Sequence, residues 1–533
     1  RWPGHMVKPN GSLAYPMLGG ALREIDCYVE VYDACVGNDD DDLDNFYKST
    51  KLDSGLYKVG VSDERILEMV SDFDIIGLTS IFSSQETMVL HCCKIIKERY
   101  PEKILIAGGS NARWRSDKFF NVGFDIVSTS EGEETIKQII NTYRTGSRDW
   151  SEVQQIKYIV DGVVQCNSQM GKVVMRLDDL PFPAWDLLPN ERYWAIKAGH
   201  GVEYGSEDEN VKYASILTSL GCPFKCTYCH IGKEVEGSLT QEIGRFRIKS
   251  DERVIKELEY LKYELGVTQV FIEDDSLFGR KKRAIRLLEK IVELDLKLID
   301  INGINIIHLL KKGKPDIEMI KLMKRAGFTD FSLPVESGNS RILKKWCSNK
   351  WDINNTDMEG LIKAFNDEGI RIDANYMIGF PDETYEEVQN TIKYAKNNAE
   401  LGVDTSCFFI CIPLPGTEMF DYCIDNGLID GDVEIDVIVV FMCIFYYFYS
   451  MYREVFIRGH YRKNGVFVSP HLRKVKVGVN ISTITGLKSY HSADKDQLAI
   501  DFSGITNNNL MLHTNKVIKW KKIITDHYQI AYI

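Results

Sequence analysis

Three cysteines in the middle of the chain have the spacing of a metal-binding loop. Cys222, Cys226 and Cys229 stand as C-x3-C-x2-C within TSLGCPFKCTYCHI, directly after an apolar run typical of a strand. Three thiolates on one short loop can bind three irons of a cubane [4Fe–4S] cluster, which leaves the fourth iron open to a substrate or cofactor. A zinc ion would call for a fourth ligand at suitable spacing, and His230 is badly placed directly beside Cys229. A zinc site and three purely structural cysteines are the alternatives.

This loop follows the first strand of a repeating strand–helix pattern over about residues 214–420. The expected strands are Ala214–Ser219, Gln269–Ile272, Leu298–Ile301, Asp330–Leu333, Ile372–Met377 and Thr405–Ile412. The expected helices are Asp251–Leu265, Lys281–Leu294, Pro315–Arg325, Met358–Glu368 and Glu383–Asn398. Six such units predict a partial (β/α)6 barrel, in which chemistry belongs at the carboxyl ends of the strands.

A second alternation of strands and helices precedes the barrel. The expected strands are Cys27–Tyr32, Asp74–Ile81, Lys103–Ala107 and Phe124–Ser128, and the expected helices include Glu64–Val70, Thr87–Glu98 and Glu133–Tyr143. They predict an α/β fold with a Rossmann-like, doubly wound parallel sheet, in which DIIGLTSI is buried on both faces. Such sheets bind ligands at the carboxyl ends of their strands. The small, polar or flexible turn residues there are Thr79, Ser80, Gly108, Gly109, Glu131 and Gly132.

Four regions follow from these patterns. Residues 1–150 form the Rossmann-like domain, 151–205 a hairpin and connector, 206–430 the barrel core, and 431–533 a C-terminal region without a recognisable fold pattern. The hairpin should turn at Asp161-Gly162. Because the chain starts at Arg1 and no strand precedes the first helix, we expect the natural N-terminus to be truncated.

Composition narrows the class of function. A net charge of -12 argues against a dedicated nucleic-acid binder, since phosphate contacts need clustered Lys and Arg, and favours a small-molecule substrate. Thirteen cysteines at irregular spacings, with no signal peptide, predict a reducing cytoplasm rather than a disulfide framework. The most apolar run, Val437–Tyr449, is shorter than the roughly 20 residues that span a bilayer, so no membrane span is expected.

The barrel resembles the radical S-adenosylmethionine (SAM) superfamily. The motif C-x3-C-x-Tyr-C stands at the end of its first strand, and Tyr228 fills the aromatic position. Further segments stand in the expected order at the ends of later strands: GRFRIKS (Gly244–Ser250), FIEDDSLF (Phe271–Phe278), VESGNSRIL (Val335–Leu343), NYMIGFPDET (Asn375–Thr384) and IPLPGTEMF (Ile412–Phe420).

The resemblance implies a reaction and a set of site residues. The open iron would bind SAM, and one electron, delivered by a donor such as flavodoxin or ferredoxin, would cleave it to a 5′-deoxyadenosyl radical that abstracts a hydrogen. Tyr228 is expected beside the adenine, and Glu336 and Ser337 at the ribose or methionine end. The remaining residues expected to bind SAM are Asp274, Asp275 and Asn375. For the carboxylates, a solvated strand end is the alternative, and Asp274 and Asp275 could instead contact the substrate.

The N-terminal domain resembles the cobalamin-binding domain of B12-dependent radical SAM enzymes. The segments that carry the likeness are DIIGLTSIFSSQ, ILIAGGSNA, FDIVSTSEGEETI and LPFPAWDLLP. The turn residues Thr79, Ser80, Gly108, Gly109, Glu131 and Gly132 would then line the groove for the nucleotide tail. The motif Asp-x-His-x-x-Gly does not occur in this domain, which leaves the lower axial ligand of the cobalt open. The alternative is a degenerate domain that only assists packing.

The main functional hypothesis is therefore methyl transfer to a small molecule through methylcobalamin, with a radical that activates the substrate. An oxidative cyclisation or rearrangement with the same cofactors is the first alternative. A non-catalytic cobalamin- or cluster-binding protein is the second. RNA methylthiolation is a weaker option, because it would call for a second cysteine set in the N-terminal domain, which the sequence lacks.

Overall fold

The computed structural model describes residues 12–46, 48–51, 57–168, 170–196, 211–429, 488–491 and 498–501. Within them lie a five-stranded sheet in the N-terminal part and a six-stranded sheet in the central part. No helix among these residues is both long and apolar enough to cross a membrane. The apolar run Val437–Tyr449 lies outside the described residues.

The N-terminal part alternates strands and helices as predicted. Its elements are α1 (Ala14–Arg23), β1 (Ser49–Lys51), β2 (Tyr57–Val59), α2 (Asp63–Met69), β3 (Ile75–Thr79), α3 (Glu86–Arg99), β4 (Ile104–Gly108), α4 (Ser110–Trp114), α5 (Ser116–Asn121), β5 (Ile126–Ser128), α6 (Gly132–Arg144), β6 (Ile156–Val160) and β7 (Val163–Cys166).

The sheet has the order β3-β4-β5-β6-β7. Strands β3, β4 and β5 run parallel, whereas the hairpin β6–β7 joins β5 antiparallel and extends the sheet. Alternate residues of β4 pack into two separate hydrophobic cores on the two faces of the sheet. Leu105 and Ala107 belong to one core, and Ile104 and Ile106 belong to the other. The doubly wound arrangement is thus confirmed. The hairpin turns at Asp161 and Gly162, both with positive φ, as predicted.

Two strand predictions in this part were wrong. Cys27–Tyr32 forms no ladder with any described strand, because an alternating pattern makes a strand only where a neighbour offers backbone partners. DIIGLTSI is not buried on both faces, since β3 is an edge strand within the described residues and Gly77 on it is exposed.

The central part carries the barrel. Its elements are α7 (Asn190–Ile196), β8 (Tyr213–Ile216), β9 (Ser219–Leu220), β10 (Arg247–Ile248), α8 (Asp251–Tyr263), β11 (Gln269–Ile272), α9 (Lys281–Ile291), β12 (Lys297–Asp300), β13 (Leu310–Lys311), β14 (Lys314–Pro315), α10 (Ile317–Arg325), β15 (Phe328–Glu336), α11 (Ser340–Trp346), α12 (Met358–Asp367), β16 (Arg371–Ile378), α13 (Tyr385–Leu401), β17 (Thr405–Ile410) and α14 (Glu418–Asp425). A short hairpin, β18 (Lys488–His491) with β19 (Leu498–Asp501), lies near the C-terminus.

The six barrel strands pair in parallel in the order β8-β11-β12-β15-β16-β17, so the partial (β/α)6 barrel is confirmed. Helix starts are fixed by side-chain caps: Ser250 accepts a hydrogen bond from the Arg253 amide at α8, and Thr384 forms a capping box with Glu387 at α13. With every strand parallel, all carboxyl ends meet at one rim. The three cysteines lie on the loop that follows β8 at this rim.

Candidate active site

The cysteine loop is closed at its base by a two-residue ladder. Strand β9 pairs antiparallel with β10, and the Cys222 amide donates to the Gly244 carbonyl at 3.2 Å. Gly221 has φ +76°, and a Cβ there would lie 2.5 Å from the Arg245 carbonyl oxygen. Only glycine fits this position, because it combines a left-handed backbone with close backbone contact. The chain therefore enters the cysteine loop along one fixed path.

Two carboxylates after β11 hold the entrance of the loop. Asp274 is fully buried and accepts hydrogen bonds of 2.6 Å from the Thr218 amide, the Thr218 hydroxyl and the Ser219 hydroxyl. Asp275 accepts from the Gly221 amide at 3.0 Å. Burial raises the pKa of Asp274, against the effect of its hydrogen bonds, and raises that of Asp275 to about 6. Both residues were predicted to meet SAM or the substrate. The structure gives both carboxylates partners in the loop base, and a contact with SAM or the substrate stays a prediction.

The other side of the loop contacts residues 346–351, which are the last residue of α11 and the segment after it. The Thr227 amide donates to the Trp346 carbonyl at 3.0 Å, and the Lys225 amide donates to the Ser348 hydroxyl at 3.1 Å. Ser348 and Asn349 both have positive φ, which turns the chain back toward the loop. The two backbone neighbours of Cys226 are thus fixed to this one segment.

Glu336 ends β15 beside the loop in a strained conformation. Its φ is +65°, which is unusual for a residue with a side chain and follows a bulge against β16. One oxygen, Oε1, accepts from the Tyr228 hydroxyl at 2.8 Å and from the Lys350 ammonium at 2.6 Å. Burial places the pKa of Tyr228 well above its ordinary value. Burial alone would lower the pKa of Lys350, but the charges of Glu336 and Cys226 outweigh it and raise it.

The three thiols fit a cluster by their chemistry. Cys222, Cys226 and Cys229 are all free of disulfides. Burial raises the pKa of each, that of Cys222 to about 11, so iron would have to displace protons when it binds. Among the described residues, no three Cys, His, Asp or Glu side chains converge as a single metal ion would require. In a cubane cluster each thiolate binds a different iron, so the three sulfur atoms lie farther apart than they would around one metal ion.

Two further residues expected at SAM lie in different environments. Ser337 is fully buried, and its hydroxyl meets Thr391 at 3.1 Å and accepts from Asn339, so it packs β15 against α13. Asn375 lies on the opposite face of β16 from Tyr376, whose hydroxyl accepts from Asn398 of α13. Asn375 therefore faces the barrel interior.

The predicted cobalamin residues divide into a packed group and an open group. Ser80 is fully buried and bonded to Asn111, while Gly109, with φ +98°, would place a Cβ 2.5 Å from the Ser80 carbonyl oxygen. Thr79 pairs with Gly108 at the ends of their strands, and a Cβ on Gly108 would meet nothing within 4 Å. The open space thus lies at Gly108 rather than at Gly109.

The third turn of this sheet contacts the barrel. Glu131 accepts from the buried Arg247 of β10, and the Ser130 hydroxyl donates to the Thr240 carbonyl at 3.0 Å. Gly132 packs closely on Leu18. The turn at the carboxyl end of β5 is therefore joined directly to the segment that follows the cysteine loop.

Sequence reasoning missed three cations that organise the site. Arg283 donates to the Thr218 hydroxyl at 2.9 Å, Arg247 binds Glu131, and Lys350 binds Glu336. Arg283 and Lys350 stand in stretches of ordinary helix or loop composition, so no local pattern marks them, and Arg247 lies in GRFRIKS, where the sequence marks the segment but not the role of this side chain. Their roles come from partners on other elements.

Comparison with known proteins finds radical SAM proteins and methyltransferases among the relatives of this chain. The family model described as the radical SAM superfamily matches residues 216–395. The uncharacterized methyltransferase PH0819 of Pyrococcus horikoshii is 30% identical over 362 residues, which are 67% of this chain and 71% of that protein. The cytidylyl-2-hydroxyethylphosphonate methyltransferase of Streptomyces wedmorensis is 27% identical over 422 residues, 73% of this chain and 74% of that protein.

A solved structure has a similar fold over most of the chain. It is the radical SAM methyltransferase TsrM of Kitasatospora setae, with cobalamin and a [4Fe–4S] cluster bound. The TM-score is 0.58 at 16% identity, over 80% of this chain and 77% of that one, so the likeness concerns the fold alone. The resemblance read from the sequence is confirmed by the family match and the first relative. The chain therefore belongs to the radical SAM superfamily, as an enzyme of a methyltransferase-like group that has cobalamin-dependent members.

Proposed function

We propose that this enzyme transfers a methyl group from SAM, by way of cobalamin, to a small-molecule acceptor. Membership of the superfamily implies a [4Fe–4S] cluster and SAM. We assign the cluster to Cys222, Cys226 and Cys229, and the cobalamin to the carboxyl end of the N-terminal sheet. When bound, the cluster supplies the electron that cleaves SAM reductively, and the cobalamin carries the methyl group.

One observation carries the proposal. The loop with the three thiols is continuous with the segment that contacts the N-terminal sheet, through Arg247 on Glu131 and Ser130 on Thr240. The carboxyl ends of both sheets are thus joined at one place. A reaction that passes a group between two cofactors needs both of them near one substrate.

The protein's own residues have distinct tasks in this proposal. Asp274 and Asp275 hold the loop entrance so that the thiols keep their spacing. Tyr228 and Lys350 orient Glu336 by donating hydrogen bonds to one of its oxygens. Its other oxygen is left to accept a hydrogen bond from the amine or a ribose hydroxyl of SAM. Asn375 faces the barrel interior, where it would offer an amide to SAM or to the acceptor.

A small acceptor agrees with the composition and with the relatives. The net charge of -12 does not favour a nucleic acid. The name of the Streptomyces wedmorensis protein states a small phosphonate acceptor for that enzyme. We further propose a cytoplasmic location, where thiols stay reduced, and flavodoxin or ferredoxin as the electron donor.

Anaerobic reconstitution with iron and sulfide tests the cluster assignment. The wild-type protein should bind four irons per chain and show the broad visible absorption of sulfur-to-iron charge transfer. Cys226→Ala should lose this absorption, whereas the matched control Cys423→Ala, which changes a fully buried cysteine of α14, should keep it. Equal cluster content in both variants would overturn the assignment.

Gly108→Val tests the cobalamin site. The added side chain enters open space, so thermal unfolding without cobalamin should change little, while retention of hydroxocobalamin on gel filtration should fall. Unchanged retention would place cobalamin elsewhere. With a candidate acceptor, one S-adenosylhomocysteine per product indicates methyl transfer. Product formed without it would favour the cyclisation alternative, and the absence of 5′-deoxyadenosine with SAM and dithionite would favour a non-catalytic protein.

A further inference from the structure

The ion pair of Lys350 and Glu336 is buried beside the cysteine loop. Its N–O distance is 2.6 Å, and each side chain is only 8% exposed. Few lysines are buried this completely, since removing an ammonium from water is costly unless a partner compensates it. Glu336 provides that compensation, and Tyr228 adds a second donor to the same oxygen.

The backbone fixes where this ammonium lies. Lys350 follows two residues with positive φ, its amide donates to the Cys347 carbonyl at 3.3 Å, and the Trp351 indole donates to the Val335 carbonyl at 3.0 Å. The segment is therefore fixed on both sides of Lys350. It is also fixed to both backbone neighbours of Cys226, through the contacts of Lys225 and Thr227. These contacts fix the backbone of Lys350, and the hydrogen bond to Glu336 holds its ammonium beside the loop.

The charge of Lys350 lies beside the cluster ligands. Its ammonium shares one oxygen of Glu336 with the hydroxyl of Tyr228, which stands between Cys226 and Cys229 in the chain. A fixed charge within about 10 Å of a second charge, at an effective dielectric constant near 20, changes an equilibrium by roughly tenfold. In a buried site this interaction is screened little by salt.

We propose that Lys350 is a positioning residue that sets the reduction potential of the cluster. With three thiolates, a [4Fe–4S] cluster gains one negative charge when it takes one electron from its donor. A neighbouring ammonium stabilises that more negative form, whereas a neighbouring carboxylate destabilises it. Lys350 and Glu336 therefore act in opposite directions, and their pairing holds the potential between the two extremes.

The inference rests on the proposed cluster site, and the two can be tested separately. Iron content and absorption of the wild-type protein test the cluster site, as described above. The potential is then measured on the full chain without SAM, by titration with dithionite and detection of the reduced cluster by electron paramagnetic resonance.

Four variants separate charge from structure. Lys350→Gln, measured at a pH high enough to keep the unpaired Glu336 ionised, should lower the equilibrium constant for cluster reduction about tenfold, which is about 59 mV for one electron. Glu336→Gln should raise it by a similar factor. Lys350→Arg keeps the charge and should stay within about twofold of wild type. The double variant K350Q/E336Q should fall between the two single glutamine variants.

Shifts of Lys350→Gln and Glu336→Gln in the same direction, or no shift beyond twofold in either, would overturn the inference. A purely structural role would give one of these results, because it does not depend on the sign of the removed charge. If Lys350→Gln alone fails to fold, the double variant is compared with Glu336→Gln. Its equilibrium constant must then be the lower of the two, and any other order contradicts the role of Lys350.

Discussion

Replacement of Asp274 by alanine tests whether this carboxylate holds the cysteine loop. The side chain is fully buried and accepts three hydrogen bonds of 2.6 Å from Thr218 and Ser219. The alanine variant leaves these donors unpaired in the interior. It also removes one of the carboxylates near Arg283, whose guanidinium binds the same threonine and keeps Asp251 at 3.6 Å.

The magnitude follows from the partners that are lost. A buried donor without its acceptor costs about 1–3 kcal/mol, and Asp274 accepts from three such donors. The contributions overlap because all the groups meet at one carboxylate, so they do not add. We expect Asp274→Ala to lower the free energy of unfolding by about 3–5 kcal/mol. Asp275 accepts one bond, from Gly221, and Asp275→Ala should cost only about 1–2 kcal/mol.

Urea unfolding of the iron-free protein under anaerobic conditions measures these differences, and iron content after reconstitution measures the effect on the loop. Asp274→Ala should bind less iron than Asp275→Ala, because it removes three hydrogen bonds from the base of the loop, whereas Asp275→Ala removes only the one to Gly221. Stability within 1 kcal/mol of wild type (about a fivefold change in the unfolding equilibrium), together with a full cluster, would refute the reasoning. It would show that other contacts suffice to hold the loop.

Three further outcomes are expected. Burial raises the pKa of Glu133 from 4.5 to about 7, so this carboxyl keeps its proton to higher pH in the folded protein than in the unfolded chain. The free energy of unfolding should therefore fall as the pH rises from about 4.5 to 7. In urea titrations, Glu133→Gln should be more stable than wild type by up to about 3 kcal/mol at pH 8 and equally stable at pH 4. Gly109→Ala should lower stability by about 2 kcal/mol, through its positive φ and its contact with Ser80, while Gly108→Ala, in open space, should be nearly neutral in thermal unfolding. Thr384→Ala should cost about 1 kcal/mol in the same assay, because it removes the cap of α13.

The barrel could be predicted closely because its signals are local. Strand Gln269–Ile272 has the predicted bounds, and five of the predicted helices appear within a few residues of their expected ends. Apolar period and capping residues decide such elements within one segment of chain. The strand predicted at Cys27–Tyr32 was wrong for the complementary reason, since a strand exists only where another strand supplies its hydrogen bonds.

The predicted site residues show the same division. The sequence predicts the three thiols on one loop at the barrel rim and Glu336 and Tyr228 in the same site, and the structure shows a hydrogen bond between these two side chains. It could not distinguish a carboxylate that binds a cofactor from one that holds a loop. Asp274 was predicted to contact SAM or the substrate, but its partners are Thr218 and Ser219, more than fifty residues earlier in the chain.

The sequence by itself determined the alternation of strands and helices, the cysteine spacing and the family, because each is written in consecutive residues. Only the tertiary structure decided which charges meet. Arg247 binds Glu131, which lies 116 residues earlier in the chain. Lys350 binds Glu336 because a turn with two left-handed residues brings it back toward the end of β15. A charge acquires its role from the distance and burial of its partner, and these depend on how separate elements pack rather than on the residues beside it.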